Sequence, residues 1–127
     1  KKPAVCHSLV ELLDLYPTLS NLCGLEVPSR LQGKDISPVF DNPKHEVRDA
    51  AFSVNGKGFL LREHDWAYIQ YGEDGNKGIE LFDMKKDPKQ YTNLATDPKH
   101  AGTVTRFRKK MTAKLKEIRT NDLGLKY

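Results

Sequence analysis

The residues best suited to chemistry sit at the break between two short apolar runs, Arg62-Glu63-His64-Asp65-Trp66. An arginine there can grip an anion through its fork of donors, and an indole can stack on a ring. The same residues serve equally well as structure, with Arg62 paired to an interface carboxylate and Trp66 in a core. Elsewhere the inventory is thin. His7, His45, His64 and His100 share no metal-ligand spacing. Asp83, Asp87 and Asp97 fall at strand, turn and cap positions, where Asp favours local backbone bonds. The serines have no recognisable elbow or partner arrangement. Cys6 and Cys23 also lack metal spacing and read as two free buried thiols. The sequence therefore yields no catalytic residue and no metal ligand set.

These side chains need elements to position them. At 127 residues there is room for one modest core. Charged residues make up 30% and mean hydropathy is −0.63, yet 38% apolar residues with five Tyr, five Phe and one Trp argue for a folded chain from about residue 48 onward. Net charge is +4 and the pI about 9.0, with nine cations between Lys99 and Lys126. A basic face of this kind can meet nucleic acid, an anionic membrane or a sulfated polysaccharide. The simpler reading is the solvated side of an amphipathic helix, because Phe107 falls on the apolar stripe and offers no stacking platform. Neither a nucleic-acid nor a membrane partner is expected. No signal peptide and no apolar run of membrane-spanning length is present.

Residues 4–25 are the most apolar region. Residues 5–13 fit a strand or a helix start, and an extended lead-in is favoured. Asp14 reads as a helix cap with Pro17 in the first turn, Leu15, Leu19 and Leu22 on one face, and Gly24 as the stop. Residues 26–47 read as a linker, with Pro28, Gly33, Pro38 and Pro43. Strand candidates follow at 49–54, 59–62, 66–71 and 79–84, the first two joined by Asn55-Gly56-Lys57-Gly58. Hairpin-length links make these an antiparallel meander. Lys85-Lys86-Asp87-Pro88 breaks the last strand, and Asp97-Pro98 opens a helix to about residue 119. Its stripe of Val104, Phe107, Met111, Leu115 and Ile118 should cover one sheet face. The expected class is α+β: a small antiparallel sheet of about four strands packed on a C-terminal helix, with a helix and linker ahead of it.

Three stretches carry a family resemblance. Glu80-Leu81-Phe82-Asp83-Met84, then Asp87-Pro88, then Asn93-Leu94-Ala95 resembles the C-terminal signature of the sulfatases, with Gln90 where that family usually has Glu. Val10-Glu11-Leu12-Leu13-Asp14-Leu15-Tyr16-Pro17-Thr18-Leu19, followed by Leu22-Cys23-Gly24-Leu25 and Leu31-Gln32-Gly33-Lys34-Asp35, is similar to the iduronate-2-sulfatase-like branch. Gly58, Leu61, Arg62, Trp66 and Tyr68 match a third family segment, which in full-length sulfatases lies toward the substrate cleft; Glu63, His64, Asp65 and Ala67 depart from it.

The resemblance implies a division of the chain. Residues 1–25 would end a parent α/β catalytic domain, 26–47 would link, and 48–127 would form the C-terminal subdomain. Sulfatases use a formylglycine made from the Cys or Ser of C/S-x-P-S-R and a calcium ion that polarises the sulfate. Glu26-Val27-Pro28-Ser29-Arg30 ends like that motif, but Glu26 cannot become an aldehyde. Catalysis and calcium would thus lie upstream, with Arg62, His64 and Trp66 as candidates for the substrate rim. The implied partners are the upstream catalytic domain and a sulfated carbohydrate, in an exported (periplasmic or extracellular) or lysosomal setting. Separated from that domain, segment 4–25 is expected to be exposed, disordered or self-associating. Two other readings stay open: a free-standing basic module for polyanions, and the tail of a related phosphodiesterase or phosphonate hydrolase.

Overall fold

The computed structural model describes residues 3–120. They form two compact units, one up to Asp49 and one spanning Ala50–Thr120.

In the first unit, residues 3–11 run without regular structure into a tight 3-10 turn, Leu12–Asp14, and then α1, Leu15–Leu22. Asp14 stands at the capping position of α1, yet its side chain caps none of that helix's amides; it completes instead a capping box with Glu11 at the start of the 3-10 turn. A capping residue normally has extended backbone so that its side chain folds over the first amides; Asp14 is helical, at φ −72° and ψ −19°. Its buried carboxylate turns to Glu11 before it and to Lys34 and Arg48 after it. Oδ1 accepts from the Lys34 amide at 2.8 Å, Oδ2 from the Glu11 amide at 2.7 Å, and the Arg48 guanidinium grips both oxygens. Thr18 repeats the pattern: its hydroxyl donates to the Asp14 carbonyl and accepts from the Ile36 amide at 2.9 Å. Gly33 passes so close to the Leu13 carbonyl that a Cβ would overlap it. Residues 31–36 are thereby tied along α1, before the single helical turn α2, Pro38–Asp41. The leucines of α1 point the other way: Leu15, Leu19 and Leu22 are 49%, 59% and 56% exposed.

The second unit is a four-stranded antiparallel meander in the order β1-β2-β3-β4. The strands are β1 Ala51–Asn55, β2 Gly58–Arg62, β3 Trp66–Tyr71 and β4 Ile79–Asp83. Gly56, at φ +58°, opens the two-residue turn between β1 and β2 as that hairpin type requires. After β4, a 3-10 turn at Pro98–His100 leads into α3, Ala101–Ile118. Asp97 caps this start, accepting from the Lys99 amide at 2.9 Å. Val104, Phe107, Met111 and Leu115 of α3 bury against Leu61, Tyr68 and Leu81 of the sheet. The Tyr68 and Phe107 rings stack at 5.4 Å, and the Arg106 guanidinium sits 4.3 Å from the centre of the Phe107 ring. The apolar stripe of the last helix thus covers one sheet face, as its three- and four-residue spacing predicts.

Candidate functional site

The corner between β2 and β3 holds the three residues singled out from the sequence. A backbone bond from Glu63 to the Trp66 carbonyl closes it at 2.9 Å. Alternation along the strands separates the candidates. Leu61 pairs with Tyr68 and faces the helix, so Arg62, paired with Ala67, belongs to the opposite face. Trp66 shares the helix-facing side, where it packs on the core and meets His100 edge to face at 5.5 Å. His64 lies exposed in the turn. The structure brings Arg62, His64 and Trp66 within one corner but does not set Arg62 and Trp66 on one face. Nη1 of Arg62 is buried with no hydrogen-bond partner.

Glu63 and Asp65 anchor the corner. The Glu63 carboxylate accepts from Arg106 at 2.7 and 2.9 Å and from Lys110 at 2.8 Å, both on α3. Burial opposes its ionisation, but the two cations outweigh that and hold its carboxyl below the ordinary range. Asp65 pairs with Lys85 at 2.8 Å, and its carbonyl accepts from the Met84 amide. In the sequence, Glu63 and Asp65 stand out only as departures from a family pattern. Their partners lie about 20 to 47 residues away, and single-sequence periodicity carries no signal for such pairs.

The junction between β4 and α3 is a second polar centre. Asp83 accepts from the amides of Lys85 and Lys86, and Asp87 from that of Thr92. Gln90 takes φ +59°, a left-handed conformation. Asn93 behaves as a spare peptide group on the free edge of β4. Its carbonyl accepts from Leu81 at 3.0 Å and Ala95 at 2.9 Å, while its amide donates to the Ile79 carbonyl at 3.2 Å. The Leu94 amide adds a bond to the Leu81 carbonyl at 2.8 Å. An exposed strand edge is thus plugged by the loop that follows it. Beside this junction lies a pocket of about 350 Å³ lined by Asp83, Lys86, Asp87, Thr92, Leu94 and His100. Among the described residues, no group of three or more His, Cys, Asp or Glu could hold a metal ion.

The architecture is a four-stranded meander covered by one long helix, with its last strand edge plugged by the following loop. The family model for the N-sulphoglucosamine sulphohydrolase C-terminal region matches residues 1–120, and the chain belongs to that family. It is 37% identical over 118 residues to a Delta 4,5-hexuronate-2-O-sulfatase of Bacteroides thetaiotaomicron, covering 85% of this chain and 24% of that protein. It is 32% identical over 105 residues to arylsulfatase K of Rattus norvegicus, covering 71% of this chain and 18% of that one. A solved 2-O GAG sulfatase superposes with a TM-score of 0.71 at 29% identity, over 89% of this chain and 26% of that one. The chain therefore spans about a fifth to a quarter of the length of these relatives.

Proposed function

We propose that the chain is the C-terminal part of a sulfuric ester hydrolase acting on a sulfated polysaccharide, at the 2-O-sulfate of a uronic acid as in the iduronate-2-sulfatase-like branch. The observation that carries this reading is the 37% identity over most of the chain to a hexuronate-2-O-sulfatase. The corner is consistent with a rim role. Arg62 offers a buried guanidinium nitrogen still in need of an acceptor, and a sulfate or uronate carboxylate supplies one. His64 is exposed beside it, and Trp66 with His100 fixes the corner from the helix side. The described residues do not fit a calcium site, and Glu26 does not fit a formylglycine precursor. In this reading both come from other parts of the protein, in an exported or lysosomal enzyme.

The test is sulfate release by the intact protein from unsaturated disaccharides carrying a single 2-O-, 6-O- or N-sulfate. Release from the 2-O-sulfated disaccharide alone is the expected result. Preference for the 6-O- or N-sulfate would overturn the positional assignment, and hydrolysis of phosphonate monoesters or phosphodiesters without sulfate release would overturn the reaction class.

A further inference from the structure

Among the described residues, the cations on the outer face of α3 outnumber the carboxylates seen to meet them. The helix holds six cations, Arg106, Arg108, Lys109, Lys110, Lys114 and Lys116, against the single acid Glu117. Arg106 and Lys110 share one carboxylate, Glu63, and Lys114 pairs with Glu117 at 2.8 Å. Arg108 lies beside the hydroxyl of Tyr68, which burial keeps protonated to higher pH than usual and which brings no charge of its own. Lys109 and Lys116 are exposed, with no carboxylate partner among the described residues. They stand seven residues apart, two turns or about 10.5 Å along one side of the helix.

What lies between them narrows the choice of partner. Thr112 and Ala113 fill the intervening turn, and Thr105 precedes Lys109 by one turn on the same side. The Thr105 and Thr112 hydroxyls donate to carbonyls of their own helix, so the surface between the lysines is small and chemically plain. Phe107 is fully buried, which leaves no ring on this face for a nucleobase to stack on. Nor does the face present a large apolar side chain to enter a bilayer. Point cations spaced along a smooth helix suit a linear polymer with repeated fixed anions and no aromatic rings.

We infer that the outer face of α3 binds a sulfated polysaccharide chain, with Lys109 and Lys116 making the main ionic contacts and Arg108 flanking them. The choice of a sulfated polymer rests on the substrate class proposed above; the charge and its geometry do not. The experiment measures binding of heparin to the intact protein across a series of salt concentrations. The wild type should bind with a steep salt dependence, and fully desulfated heparin should bind far more weakly. The exposed double substitution Lys109→Gln with Lys116→Gln should weaken heparin binding about tenfold and reduce the slope of log affinity against log salt by about two, one per lost contact. Lys109→Arg with Lys116→Arg should retain both affinity and slope, which separates loss of charge from any loss of fold. Unchanged affinity in the glutamine variant, or equal binding of the desulfated polymer, would overturn the inference. So would tighter binding of single-stranded DNA or phosphatidylserine vesicles than of heparin. Binding is read without turnover, so a protein that holds heparin but releases no sulfate counts against the proposed activity alone.

Discussion

Replacing Arg48 by Met tests the central contact of the first unit. Asp14 is fully buried, and Arg48 is 9% exposed with Glu11 as a further ionic neighbour at 3.7 Å. Methionine keeps much of the volume and removes the charge, leaving a buried carboxylate with only two backbone donors, from Glu11 and Lys34. Breaking a buried pair from one side costs about 3–5 kcal/mol; the two remaining amide bonds place this case near 3 kcal/mol. Trp66 is remote in sequence from this unit, so native-state hydrogen exchange is the better assay. The amides of Lys34 and Ile36 report directly, since they bond to Asp14 and Thr18. At about 1.4 kcal/mol per tenfold change, their protection should fall roughly a hundredfold in Arg48→Met. Asp14→Leu combined with Arg48→Met should recover part of the loss at the Ile36 amide, which bonds to Thr18, because no buried charge is then left unpaired; the Lys34 amide loses its acceptor in that variant and stays fast. Burial works against the Asp14 carboxylate, but Arg48 and the two amides prevail and hold its folded pKa below the ordinary value. The pair's stabilisation is therefore complete above the ordinary carboxylate pKa and disappears as pH falls through the lower, folded value. Unchanged protection of Lys34 and Ile36 in Arg48→Met would refute the reasoning.

Three further outcomes follow from the same contacts. Asn93→Ala removes three hydrogen bonds on the edge of β4 and should cost about 1–3 kcal/mol, read as faster exchange of the Leu81 amide. Phe107→Ala deletes a fully buried ring stacked on Tyr68 and should lower stability by about 3–5 kcal/mol in urea, followed by Trp66 fluorescence. Leu19→Ser probes the exposed face of α1. A change within about 0.5 kcal/mol in the intact protein means the face meets water, whereas a loss of about 1.5–3 kcal/mol means other parts of the protein cover it, as the proposed function requires.

The second unit was legible in the sequence because its determinants are local. Short apolar runs bounded by turn residues located four strands, Asn55-Gly56 located a hairpin turn, and three- and four-residue spacing located the buried face of α3. Asp97 was read correctly as a cap because a proline follows it. The same rule misjudged Asp14. Its neighbour composition also suits a helix start, but its carboxylate is committed to Arg48, 34 residues on, and no local pattern encodes that distance. Residues 26–47 carry the prolines and glycine of a linker, and that composition says nothing of the bonds from Lys34 and Ile36 back to α1. The leucines of α1 show the converse limit. Their spacing marks an apolar face, and it carries no signal for what lies against that face.

The polar residues of this chain divide by whether their bonding capacity is already used. Asp14, Glu63, Asp83, Asp87 and Asn93 each hold amides or cations of the same unit. A carboxylate occupied in that way is poorly placed to take a proton or a ligand, because either event forfeits bonds already made. The family signature at residues 80–95 is accordingly an edge plug, with Asp83 and Asp87 spent on backbone donors and Glu80 on the Tyr71 hydroxyl. Arg62 differs. Among the described residues, its Nη1 is the buried side-chain polar atom without a partner, and leaving such a donor unsatisfied costs about 1–3 kcal/mol. An acceptor that arrives at this corner, whether substrate or another part of the protein, relieves that cost. Arg62→Lys separates the two: loss of substrate affinity at unchanged stability identifies a ligand contact, and loss of stability identifies an internal one.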